Sequence, residues 1–125
     1  MKSFLVVLTL AAVGLFFGAT AAMAATWQKT TDGSSVLFNN DPDGSGAGND
    51  ERFHVCDTSS DGHAVYAEYA FDGGSLTKHN WGGGNGTCKN FDHQWSENKV
   101  VKFRSCEEIN NWPNDCSGYE SGGRS

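Results

Sequence analysis

The sequence predicts an all-β domain, a small antiparallel β-sandwich or open barrel stabilised by two disulfides. Three observations predict it. Short runs rich in β-branched and aromatic residues are separated by clusters of Gly, Asp and Asn, with 16 glycines among 125 residues. Within those runs apolar and polar residues alternate, and nothing in residues 25–125 sustains the three-and-four spacing of an amphipathic helix. The four cysteines, Cys56, Cys88, Cys106 and Cys116, form an even set without a C-x-x-C pair, which favours disulfides over zinc ligation in an exported chain.

Export is read from the opening MKSFLVVLTLAAVGLFFGATAAMA. Lys2 precedes an apolar run from Phe4 to Phe17, and small residues end in Ala22-Met23-Ala24. This is the pattern of a secretory signal peptide, residues 1–24, with an A-x-A cleavage site after Ala24. The run is shorter than the roughly 20 apolar residues of a spanning helix, so no membrane span is expected after cleavage. Residues 25–125 are expected to form a single secreted, extracellular β domain, monomeric, with an acidic glycine-rich loop at 39–51.

The elements follow in order. A first strand is predicted at 34–38 (SSVLF) and a second at 52–56 (RFHVC), where Phe53 and Val55 oppose His54 and Cys56 and the buried side stays open. HAVYAEYAF, 63–71, places Val65, Ala67, Tyr69 and Phe71 on one face. The intervening DTSSDG reads as a hairpin, because its Asp-Gly end supplies a positive backbone angle. FDGG, 71–74, is a second hairpin turn, leading into SLTKHNW at 75–81. A weaker strand is expected at 87–91 and a further one at 99–106 (KVVKFRSC), with Val101 and Phe103 on one face. The tail lacks alternation and reads as a loop pinned by Cys116 and Trp112, frayed past Tyr119.

Three cysteine pairings are open. The short separation of Cys106 and Cys116 favours a local staple, leaving Cys56 with Cys88. In the chain-entropy account each bridge stabilises by roughly 3–4 kcal/mol. The formal net charge of −6 makes nucleic acid an unsuitable partner, because a polyanion is held by clustered Lys and Arg. The basic residues of 99–104 are explained as the solvated side of a strand.

CDTSSDGHAVYAEY, 56–69, and FRSCEEINNWPNDCSGY, 103–119, resemble a group of small secreted actinobacterial proteins that share a C-D-x3-D-G-H hairpin and an R-x-C-E…C-S ending. The resemblance covers most of residues 25–125. It implies export, this fold and a local Cys106–Cys116 staple, and carries no activity with it.

For chemistry, Asp41, Asp43, Ser45 and Gly46 fit the opening of a D-x-D-x-[DNS]-G calcium loop, with Asp50 near its end. The position of the bidentate Glu is occupied by Arg52, and strands flank the loop. Weak calcium binding through Asp41, Asp43, Ser45 and Asp50 is therefore set beside a plain solvated linker, and no other cofactor is expected. His54, His63, His79 and His93 show no ligating spacing, no G-x-S-x-G elbow is present, and adjacent Glu107 and Glu108 point to opposite faces of a strand. Trp81, Trp95 and Trp112 stand beside amides, Asn80 among them, a combination suited to stacking on a sugar face; the same rings could also close the core. The expectation is a small non-catalytic binding protein for an extracellular polysaccharide or cell-surface component, with a glycan or protein as partner. An inhibitor or toxin contacting its target through 79–88 is one alternative, and a small extracellular hydrolase is the other.

Overall fold

The computed structural model describes residues 25–42 and 50–125. The leader 1–24, and Asp43 and Ser45 of the acidic loop, lie outside the described residues. Among those described there is no helix, and the strands in chain order are β1 (Thr26–Thr30), β2 (Ser34–Asn39), β3 (Glu51–Asp57), β4 (Val65–Phe71), β5 (Thr77–Trp81), β6 (Cys88–His93), β7 (Val100–Glu107), β8 (Asp115–Cys116) and β9 (Glu120–Arg124). One antiparallel sheet runs β1-β2-β3-β6. The other runs β5-β4-β7-β8, and β9 also pairs with β7. Among the described residues no strand pairing links the two sheets into a closed barrel; the fold is a sandwich.

Alternation explains what each strand buries. Val36 and Phe38 of β2, Phe53 and Val55 of β3, Val65, Ala67 and Tyr69 of β4, and Val101 and Phe103 of β7 form one core between the sheets. This settles the open side of RFHVC: Phe53 and Val55 are fully buried, while His54 and Cys56 turn outward. The Phe53 ring lies 4.9 Å from Phe38, 4.9 Å from Tyr69 and 5.7 Å from Phe103, tying both sheets together. Each fully buried Phe stabilises by roughly 1.5–3 kcal/mol relative to exposure.

Both disulfides join residues directly opposite on neighbouring strands. Cys56–Cys88 links β3 to β6 and Cys106–Cys116 links β7 to β8. FDGG opens the 72–76 hairpin loop between β4 and β5 with a tight turn, positive φ at Asp72 (51°) and Gly73 (72°), closed by Gly74 N donating to Phe71 O at 2.9 Å.

Two expectations are corrected. DTSSDG is not a hairpin, because β3 and β4 lie in different sheets; Gly62 does take a positive φ of 76°, but it serves a crossing between layers. The tail is not frayed past Tyr119, nor does Trp112 pin it, being 75% exposed. The Tyr119 hydroxyl donates to Glu68 Oε1 at 2.7 Å, and the same oxygen accepts from Arg104 Nη2 at 2.7 Å. Lys102 and Arg104 lie over the Tyr119 ring at 4.5 and 4.6 Å. β9 then pairs with β7, where a Cβ on Gly123 would meet Val101 O at 2.7 Å, so a glycine-rich sequence that reads as turn is what close approach demands.

Candidate functional site

The registers define two ends of the sandwich. Ser34 opposes Asp57, Val65 opposes Trp81 and Glu107, and Cys56 opposes Cys88. Loops 31–33, 58–64, 82–87 and 108–114 therefore leave at one end. Loops 72–76 and 94–99 leave at the other, where residues 40–42 and 50 also lie.

At the first end the inward positions turn polar. Ser34, Asp57, Ser105 and Glu107 are all buried there, continuing the faces that carry Val36, Val55 and Phe103. Ser34 Oγ and Ser105 Oγ share a hydrogen bond of 2.6 Å, extended by Thr31 Oγ1 at 2.7 Å from Ser34 Oγ. Glu107, at the end of β7, needs a neighbour without a side chain, since a Cβ on Gly33 would fall 2.2 Å from its Oε2.

Over Glu107 sits the loop between β3 and β4. His63 N donates to Asp61 Oδ1 at 3.0 Å across Gly62, an Asx turn that brings both side chains to one side. His63 Nδ1 lies 3.1 Å from Glu107 Oε1 and 3.7 Å from Asp61 Oδ1, and Glu108 N donates to Ala64 O at 2.8 Å, fastening the loop to β7. The carboxyls of Asp61 and Glu107 hydrogen-bond to each other. That contact is the largest cause in holding Asp61 down at about 2 and in raising Glu107, whose burial raises it further. Between this loop and 82–87 lies a cavity of about 260 Å³, lined by hydroxyl, carboxyl, amide and imidazole groups of Ser59, Ser60, Asp57, Asn85 and His63.

The other end is filled with rings. Trp95 stacks on His93 at 4.0 Å and on Phe71 at 4.5 Å, and His79 stacks on Phe91 at 4.3 Å. His79 Nε2 and His93 Nε2 are 2.8 Å apart, where β5 and β6, the edges of the two sheets, meet. Burial, then the neighbouring His93, push His79 down to about 4, and burial lowers His93. Glu51 is wholly buried below them: its Oε2 accepts from Trp95 N at 2.9 Å, its Oε1 has no hydrogen-bond partner among the described residues, and burial raises its pKa.

The residues singled out in the sequence are thus dispersed. Trp95 is half-buried against the core at the ring-filled end. Trp81 is half-buried at the cavity end, its Nε1 donating to Thr87 Oγ1 at 3.0 Å, and a Cβ on Gly83 would fall 1.9 Å from its ring. Asn80 is exposed on the outer side of β5, and Trp112 stands out on the 108–114 loop. Of the calcium set, Asp41 and Asp50 are half-buried at the ring-filled end.

Two groups among the described residues converge as metal donors. His54, Cys56 and Cys88 are one, but both sulfurs are spent in the disulfide; Asp61, His63 and Glu107 are the other, with donor atoms all within 4.8 Å. Sequence reasoning missed this second group as a unit. Its signal was the pair of quoted motifs, C-D-x3-D-G-H and R-x-C-E, which meet here. Compared with known protein families, curated proteins and solved structures, the chain matches none. Fold and site together define a disulfide-bonded β-sandwich with a polar, cavity-bearing end.

Proposed function

We propose that the protein is an exported, non-catalytic binding protein that takes a hydroxylated extracellular ligand, a polysaccharide foremost, at the cavity end. Two disulfides on an all-β frame suit an oxidising compartment, and no described helix is long and apolar enough to cross a membrane. The observation that carries the reading is Trp112, 75% exposed on a loop held from both sides. Cys106–Cys116 closes that loop, and Asn114 ties it down by accepting from Ile109 N at 3.2 Å and donating to Tyr66 Oη at 3.0 Å. A ring on a backbone already held in place, with Asn110 and Asn111 beside it, suits stacking on a sugar face. Depletion of the protein by insoluble glycans (cellulose, chitin, peptidoglycan) tests it. Depletion by one of them, lost in Trp112→Ala and kept in Asn80→Ala, supports the reading; no depletion by any overturns it.

A second reading, a small hydrolase, is favoured by one observation: His63 and two carboxyls, one lowered and one raised, converge beside a cavity. Turnover of a glycan or ester substrate that disappears in His63→Ala would displace the first reading.

A further inference from the structure

We propose that Asp61, His63 and Glu107 form a binding site for a divalent transition-metal ion, zinc being the best match, beside the cavity that His63 lines. The site stands whether or not the glycan reading does.

The donor distances support it. Two ligands of a tetrahedral zinc ion at ~2.0–2.1 Å lie ~3.3 Å from each other. His63 Nδ1 is 3.1 Å from Glu107 Oε1 and 3.7 Å from Asp61 Oδ1, so small side-chain rotations bring all three to bonding distance of one point. The donor types choose the metal. Imidazole nitrogen with carboxylate oxygen suits zinc and its first-row neighbours, whereas calcium takes oxygen alone and asks for six to eight ligands.

Electrostatics ask for a cation. The trio sets two mutually repelling carboxyl groups against a single imidazole, an excess of negative charge at one point. Glu107 is almost wholly buried, where that excess is poorly screened. A divalent ion between the three donors removes the repulsion without holding a proton in place.

The frame is also prepared. Gly33 leaves room for the Glu107 carboxyl, the Asx turn at Asp61 fixes two donors on one side, and the Glu108–Ala64 bond locks the loop to β7. Three protein donors leave a tetrahedral ion one open position. His63 itself lines the cavity, so that position is within reach of a ligand oxygen there.

The test is calorimetric titration of untagged, chelator-stripped protein comprising residues 25–125 with zinc chloride at neutral pH, with calcium chloride in parallel. The expected result is one zinc per chain, a rise in melting midpoint with zinc, and a loss of zinc affinity of at least ~10-fold in both His63→Ala and Asp61→Asn. Asp61 is on the exposed loop, so its variant decides the matter even where Glu107→Gln fails to fold. No zinc binding at millimolar concentration, or zinc binding unchanged in His63→Ala and Asp61→Asn, overturns the proposal.

Discussion

Where β3 begins, the space between the sheets is filled by Phe38, Phe53, Tyr69, Phe71, His93 and Trp95; where β3 ends, the same inward positions carry Ser34, Asp57, Ser105 and Glu107. The first end has rings in mutual contact over a single buried carboxyl, that of Glu51, which accepts from Trp95 N. The second has the Ser34 and Ser105 hydroxyls bonded to each other and Glu107 bonded to His63, beside a cavity that Asp57 and His63 line. Burying rings contributes stability in proportion to area, whereas burying carboxyls costs free energy unless each finds a partner. The contrast suggests that the ring-filled end holds the fold and that the polar end is where a ligand is met.

The largest expected effect is at the ring-filled end. Phe53→Ala should destabilise by about 3–5 kcal/mol in urea unfolding, because a fully buried ring shared by both sheets leaves a cavity. Replacing Cys106 and Cys116 together by Ala should cost about 3 kcal/mol and loosen the loop bearing Trp112, read as faster proteolysis there. Gly33→Ala should cost about 1–3 kcal/mol through the collision with Glu107, and should disturb the polar end alone. A cost near zero would mean that Glu107 is free to move.

The histidine pair gives the ring-filled end a pH dependence. His79 sits at about 4 and His93 is also lowered, both mainly by burial, against ~6.5 in an unfolded chain. The unfolded state therefore binds more protons between these values, so stability is full above ~6.5 and falls as pH drops towards 4. Melting midpoints should decline across that window, and less so when His79 and His93 are both Gln. An equal slope in the double variant would assign the decline to other groups. The smallest effect on stability is expected from Trp112→Ala, within about 0.5 kcal/mol, since the ring covers nothing.

Alternation made six of the nine described strands legible, turn residues the FDGG hairpin, and the short separation of Cys106 and Cys116 both disulfide pairings. β1, β8 and β9 were not read: β1 was passed over ahead of SSVLF, β8 is only two residues long, and Glu-Ser-Gly-Gly-Arg of β9 carries no period of two. DTSSDG misled because Asp-Gly announces a positive φ, not which strand comes next. Trp95 lies between polar neighbours and reads as a loop ring, yet it turns inward onto Phe71 and His93. Of the metal-type cluster, Asp61 and His63 were within one motif, but Glu107 lies 44 residues from His63, and only the meeting of β4 with β7 brings them together.

The most direct test of the division between the two ends is a backbone amide chemical-shift map of the folded domain on addition of soluble glycan fragments. The account predicts that the perturbed amides cluster in 57–64, 82–87 and 108–116. Perturbation centred on 71–79 and 91–97, or none at all, would contradict it.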